Sequence, residues 1–307
     1  MESAIQELSR HLAERGYRGR IVPIQHVSEL QQEITGRHEQ GLLDPDFYKE
    51  RLTWFDFNPP VSLSGAASLI IVAVPRPQTR VGFTWNGASR SFILPPTYAE
   101  YRETQQLVEE LLAGILASAG FHIARPALPL KLLAARSGLG QYGKNNICYV
   151  PGMGSFHQLA AVYSDLPAPD DNWQEVQMME RCRTCNACLN KCPTGAISSD
   201  RFLLHADKCL VFHNERPAGF AFPGWIDPAW HNCVMGCMDC QRVCPEDKPF
   251  MPWIEEGQEF SQEETTLLLK GTGLAQLPAA TADKLRRLNL ADDVDIFPRN
   301  LGVLLAK

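Results

Sequence analysis

Apolar positions along the chain recur at helical spacing in some stretches and as continuous runs in others. Ile5, Leu8, Leu12 and Ala13 fall on one side of a helix over residues 3–15. Residues His26 to Gln40 read as a second helix, polar and surface-lying. Ser68-Leu69-Ile70-Ile71-Val72-Ala73-Val74-Pro75 is a short apolar run rich in β-branched residues and closed by proline, the pattern of a buried strand. Tyr98 to Ala119 reads as a long helix with Leu107, Leu111, Leu112 and Ile115 on one face. Phe121 to Ala124 reads as a strand, and Pro129 to Ser137 as a helix stopped by Gly138. The alternation predicts an α/β (α+β) first half. The Pro/Asp-rich stretch 165–171 reads as a linker. The tail opens on Ser261-Gln262-Glu263-Glu264, a capping-box pattern ahead of Leu267-Leu268-Leu269, and is helical apart from loops near Pro278 and Pro298. These boundaries predict an α/β domain over 1–170, a cysteine-rich module over 171–255 and a helical tail over 256–307.

Composition narrows the setting. The chain has 307 residues, 45% of them hydrophobic, enough for a substantial core in one or two domains. Its net charge of -6 lacks the basic balance typical of a nucleic-acid-binding surface. Residues Met1 to Glu7 lack the basic-then-apolar order of a signal peptide, and no apolar stretch reaches bilayer length. The expected location is the cytoplasm, without membrane association. Ten cysteines in that reducing setting point to metal ligation rather than disulfides.

Their spacing is specific. Cys182-x2-Cys185-x2-Cys188-x3-Cys192-Pro193 is the run of bacterial two-cluster ferredoxins, in which the fourth cysteine ligates the other cluster. Cys237-x2-Cys240-x3-Cys244-Pro245 supplies the second run, one sulfur short. The crossed pattern predicts two [4Fe–4S] clusters. Cys182, Cys185, Cys188 and Cys244 hold one; Cys192, Cys237 and Cys240 hold the other, which needs a further thiolate. Cys209 and Cys233 are both available for it. Zinc sites use paired C-x2-C units and do not require the proline-terminated four-cysteine run. Cys148 has no partner pattern and is expected to be buried and inert.

Gly138-Leu139-Gly140-Gln141-Tyr142-Gly143 also fits G-x-G-x-x-G. A dinucleotide site requires a strand before it and an acidic residue about 20 positions on; here a helix precedes and Asp165 comes late, so a nicotinamide cofactor is not expected. Two readings remain: glycines that let the backbone approach a flat cofactor, or a helix C-cap followed by a tight turn. Arg136 and Lys144 are candidates to contact a cofactor phosphate or propionate, or are ordinary surface charges. Tyr142 is a candidate proton donor or a packing residue.

Ala134-Ala135-Arg136-Ser137-Gly138-Leu139-Gly140-Gln141-Tyr142-Gly143-Lys144-Asn145-Asn146 resembles the Arg-x-Gly-Leu-Gly-x-x-Gly-Lys motif of the epoxyqueuosine reductase family. Gly154-Ser155-Phe156, Tyr163-Ser164-Asp165-Leu166-Pro167 and both cysteine runs resemble the segments C-terminal to that motif in the family. The resemblance covers roughly residues 60–306 and is strongest over 134–245. It includes an isolated ligand cysteine after the first run, which implies Cys209 rather than Cys233 as the missing ligand.

The resemblance implies a cobalamin-binding N-terminal domain that takes electrons from the clusters, in a fold and chemistry related to the reductive dehalogenases. It implies Arg136, Gly138, Gly140, Gly143, Lys144, Val211 and His213 as cofactor-binding positions. The implied partners are a small electron donor such as ferredoxin or flavodoxin and a small-molecule substrate or corrinoid protein. Three departures separate this chain from the family pattern. The family's catalytic aspartate, in an Asp-x-Ala-Pro-Val segment, is matched here by Ala124-Arg125-Pro126-Ala127-Leu128, and no Asp or Glu occurs from Phe121 through Ser164. The Tyr-x-x-Gly-x-Asp-Tyr-His region is replaced by Ser91 to Tyr98. Phe297 to Leu305 resembles the lead-in to helical repeats that help hold tRNA, and the sequence ends there. The expectation is therefore a cobalamin-dependent reductase whose substrate is not epoxyqueuosine in tRNA. The alternatives are a non-catalytic electron-transfer protein that reduces a partner corrinoid, and a divergent epoxyqueuosine reductase.

Overall fold

A computed structural model describes residues 1–307. In chain order the first elements are α1 (Glu2–Glu14), β1 (Arg18–Pro23), α2 (Val27–Glu39), α3 (Pro45–Arg51), β2 (Ser68–Pro75), β3 (Gln78–Trp85), β4 (Ala88–Leu94) and α4 (Tyr101–Ser118). Then come β5 (Ile123–Ala124), α5 (Leu130–Arg136), β6 (Gln141–Tyr142), β7 (Cys148–Tyr149) and β8 (His157–Ser164). The last third contains α6 (Ala187–Lys191), α7 (Leu210–Asn214), α8 (Asp239–Arg242), β9 (Ile254–Phe260), α9 (Gln262–Leu269), α10 (Ala279–Arg287) and α11 (Phe297–Leu305). No helix is long and apolar enough to cross a membrane.

The chain divides into two compact units, Met1–Pro75 with Arg102–Cys185, and Arg76–Tyr101 with Asn186–Lys307. This differs from the expected split at 170 and 255. The reason is β3, which leaves the first half of the sequence to pair in parallel with β9, with Gln78 opposite Ile254 and Phe83 opposite Phe260. The tail expected as a separate segment belongs to the same unit as the second cysteine run.

In the first unit a sheet of order β1-β2-β8-β5 is antiparallel throughout. Alternate residues of β2 serve two cores, because successive strand side chains point to opposite faces. Leu69, Ile71 and Ala73 join Leu30, Ile34 and Leu133, whereas Ile70, Val72 and Val74 join Leu8, Leu12, Val108 and Leu112. Helices thus cover both faces, which explains a run without polar alternation. Two details differ from expectation. On α2, Val27, Leu30 and Ile34 are buried at helical spacing, so the helix is half-embedded rather than surface-lying. On α4 the buried stripe runs through Thr104, Val108, Leu112, Ile115 and Leu116, which leaves Leu107 50% exposed.

In the second unit the hairpin β3–β4 turns on Asn86 and Gly87, both at positive φ, as two-residue hairpin loops require. Phe83 stacks on Phe260 of β9 at 5.0 Å between ring centroids. The expected capping box forms: Ser261 Oγ accepts from the Glu264 backbone, and the Glu264 carboxylate accepts from the Ser261 backbone. α11 anchors the loops that lead into and out of the cysteine segments. Asn300 Nδ2 donates to the carbonyls of Asn214 at 2.9 Å and Val234 at 2.8 Å, and Arg299 donates to those of Asn214 and Arg216.

Candidate metal centre

The first unit carries the first two cysteines of the first run, Cys182 on a single helical turn, Glu180–Arg183, and Cys185 just past its end. The Cys182 N–H donates to Met179 O at 2.9 Å, and the Cys185 N–H to Arg181 O at 3.3 Å. This segment is tied to the glycine motif. Tyr142 N–H donates to Gln177 O, Met179 N–H donates to Tyr142 O at 2.9 Å, and Lys144 Nζ donates to the Cys185 carbonyl at 2.7 Å. The motif therefore braces the backbone that presents Cys182 and Cys185.

That changes the reading of the residues expected to contact a cofactor. Gly138 has φ +72 just past the end of α5, as a helix C-cap in the left-handed region does. A Cβ on Gly140 would lie 2.7 Å from Cys148 Sγ and 2.8 Å from Tyr149 O; one on Gly143 would lie 2.6 Å from Asn145 Oδ1 and 2.6 Å from the Tyr149 ring. Both glycines are required by the chain's own β6–β7 corner. Arg136 is buried and pairs with Glu33 at 3.2 Å, Glu175 at 3.2 Å and Glu29 at 3.6 Å, with Trp173 beneath its guanidinium. Burial holds the Tyr142 phenol well above its usual pKa, which opposes proton donation near neutral pH. The motif fits a structural corner better than a cofactor cradle, and its polar side chains are engaged within the first unit. Arg136, Gly138, Gly140, Gly143 and Lys144, expected to face a cobalamin, are thus engaged by contacts within their own unit.

In the second unit, Cys188 lies on α6, with the Cys192 N–H donating back to its carbonyl at 3.0 Å. α8 carries Cys240 and packs against α6. Cys209 is the N-cap residue of α7. Its thiol is pushed up to about 12, first by burial and then by the nearby charges of Cys237 and Cys192. Cys237 is raised by burial as well, with Cys192 again among the charges that add to it. Cys192, Cys209 and Cys237 thus form one electrostatic group. No disulfide joins any of the ten cysteines. Closely set, partly buried thiols resist ionisation, and iron removes that resistance because the ligand is the thiolate and the metal charge offsets it. The donor set fits an iron–sulfur cluster.

Cys233 is also buried, but its Sγ donates to Asn232 Oδ1 at 3.1 Å. Cys148 is buried and pushed up to about 12 by burial, an inert thiol. Val211 is half-buried on α7. His213 is buried, its Nε2–H donates to the Asp207 carbonyl at 2.7 Å, and it meets Trp225 edge-on; burial lowers its pKa. Both belong to the second unit, whereas the glycine motif belongs to the first. Sequence reasoning missed Asn232, and it missed that Lys144 serves a ligand backbone.

Comparison with known proteins decides the family context. A family model described as a 4Fe-4S double cluster binding domain matches residues 181–247. An epoxyqueuosine reductase of Pseudomonas aeruginosa is 34% identical over 146 residues, 47% of this chain and 39% of that one. Over that stretch the chain is similar to the epoxyqueuosine reductases. The structure of epoxyqueuosine reductase from Streptococcus thermophilus matches with a TM-score of 0.68 at 20% identity, over 98% of this chain and 80% of that chain. An epoxyqueuosine reductase solved with an epoxyqueuosine-modified tRNA stem loop matches with a TM-score of 0.62 at 20% identity, over 99% of this chain and 85% of that chain. These likenesses show the mixed α/β fold. The chain spans about a quarter to about half the length of the curated relatives it matches.

Proposed function

We propose that this relative of the epoxyqueuosine reductases is an oxidoreductase that carries single electrons through two [4Fe–4S] clusters to a corrinoid, and that its substrate is not epoxyqueuosine in tRNA. The observation that carries the reading is that residues 181–247, which match the double-cluster domain, hold nine of the ten cysteines, none of them in a disulfide. In this reading Cys182, Cys185, Cys188 and Cys244 hold cluster one, and Cys192, Cys209, Cys237 and Cys240 hold cluster two. When bound, each cluster supplies a one-electron couple. The chain's own residues do the positioning. Lys144 pins the Cys185 carbonyl, the β6–β7 corner braces the segment before Cys182, and Asn300 with Arg299 fixes the ends of the loops around α7. A small donor of the ferredoxin or flavodoxin class fits this relay.

Two features favour a client other than tRNA: the acidic balance of the chain, and the absence of any Asp or Glu from Phe121 through Ser164. A positioned general acid contributes typically about 10²–10⁴-fold in rate. The engagement of the glycine motif by its own unit favours a second reading, in which the corrinoid is carried by a partner protein. Titration of the anaerobically purified, cluster-loaded chain with cob(II)alamin, followed by absorbance and EPR, separates the two. Saturable loss of the base-on signal places the corrinoid on this chain; an unchanged signal excludes that and leaves the partner-borne acceptor. Restoration of queuosine in a strain lacking its reductase would overturn the substrate reading.

A further inference from the structure

We propose that Asn232 is the tuning and positioning residue of cluster two: its side-chain amide donates a hydrogen bond to the Cys237 sulfur and raises that cluster's reduction potential. The proposal rests on the two-cluster reading. Asn232 Nδ2 lies 3.3 Å from Cys237 Sγ and 3.2 Å from the Trp230 carbonyl oxygen. Asn232 Oδ1 lies 3.0 Å from the Met238 N and 3.1 Å from Cys233 Sγ. Amide orientation is ordinarily ambiguous, because oxygen and nitrogen have the same shape. Here two backbone groups fix it. The Met238 N–H can only donate, so oxygen must face it; the Trp230 carbonyl can only accept, so nitrogen must face that. An N–H group therefore points at Cys237 and not a lone pair. Each end of the amide has two partners, so the side chain has little freedom to turn away.

The direction of the effect is set by where the charge goes. Reduction of a [4Fe–4S] cluster by one electron adds negative charge that spreads over its sulfurs, and an N–H dipole aimed at one of them stabilises the reduced form more than the oxidised form. Hydrogen bonds to sulfur are among the factors that set cluster potentials. Outer-shell groups of this kind also orient the ligand itself. Asn232 does both. It ties residues 230, 233, 237 and 238 into one loop, and it leaves the Cys237 sulfur facing a fixed dipole. It also gives Cys233 a role: its thiol donates to the far end of the same amide, where it polarises the amide toward Cys237 without serving as a ligand.

The test compares the wild type with Asn232→Leu and Asn232→Asp in fully reconstituted chains, by EPR-monitored redox titration alongside iron analysis. Asn232→Leu keeps the shape and removes the N–H without adding charge; Asn232→Asp keeps the acceptor for Met238 and removes the donor. With about eight irons per chain retained, one of the two couples is expected to move to a more negative potential in Asn232→Leu and further in Asn232→Asp, while the other stays. Two unmoved couples in Asn232→Leu would overturn the proposal. If the variants lose iron, pulsed EPR of the wild type labelled with 15N in the asparagine side-chain amide decides. A 15N coupling to one reduced cluster upholds the bond, and its absence from both overturns it. Wild-type chain holding about four irons or fewer would signal instead that the two-cluster reading has failed.

Discussion

Lys144 Nζ lies 2.7 Å from the carbonyl oxygen of Cys185, which places a side-chain cation on the backbone of an expected cluster ligand. The sequence offered Lys144 as an anion contact for a cofactor; its partner is instead the ligand loop of its own unit. Replacement by methionine frees that carbonyl and removes the nearby charge. Lys144→Met should weaken cluster retention by about 10-fold, as loss of outer-shell partners does. It should also make one couple more negative, with Lys144→Arg closer to wild type. Timed iron release to a chelator measures the first effect. Equal release from wild type and Lys144→Met would show that the contact has no role in holding the cluster.

Gly140 distinguishes a corner from a cradle. Its Cβ would meet Cys148 Sγ at 2.7 Å and the Tyr149 carbonyl at 2.8 Å, neither of which can retreat without moving β7. Gly140→Ala should cost about 2 kcal/mol of stability through overpacking, read as a shift in the urea midpoint of the chain without any added corrinoid. A variant as stable as wild type that had lost only corrinoid binding would restore the cofactor-cradle reading.

His157 should make the first unit acid-sensitive. It is buried on β8, and burial pushes its imidazole down to about 4 although the Gly154 hydrogen bond opposes the shift. The unfolded chain then binds more protons than the folded one between about pH 4 and the ordinary histidine value of about 6.5, so stability is full above that value and is lost as pH falls. The loss is on the order of 3 kcal/mol. Urea unfolding of wild type and His157→Gln at pH 7 and pH 5 checks the sign. A pH slope just as steep in the variant would assign the acid sensitivity elsewhere.

Cys209 and Cys233 should separate cleanly. Cys209 is partly buried and lies near the charges of Cys192 and Cys237, whereas Cys233 is buried and occupied with Asn232. Cys209→Ser should fall from about eight irons to about four, and Cys233→Ser should keep close to the full number. The opposite pattern would make Cys233 the fourth ligand of cluster two.

Local patterns were legible in the sequence. The ligand spacing of Cys182 to Cys192 is a short-range pattern. So are the capping box at Ser261 and the apolar run of β2, and these two elements occur where the sequence places them. The hairpin over Gln78–Leu94 carries a local signal too, in its Asn86-Gly87 turn. β9 is a different case: Ile254-Glu255-Glu256-Gly257-Gln258-Glu259-Phe260 is mostly polar, and it is a strand because β3, distant in sequence, provides its hydrogen-bond partners. The glycine motif reads the same whether it approaches a cofactor or packs a corner, and only the contacts of Gly140 and Gly143 distinguish the two. Asn232 carried no signal because its importance lies in which backbone groups the folded loop brings to its two ends.

The most direct measurement is the content of iron and acid-labile sulfide in the anaerobically reconstituted chain. Two [4Fe–4S] clusters predict about eight of each per chain, with an EPR spectrum of the fully reduced protein that integrates to about two spins. About four irons or fewer in fully reconstituted protein would contradict the two-cluster relay.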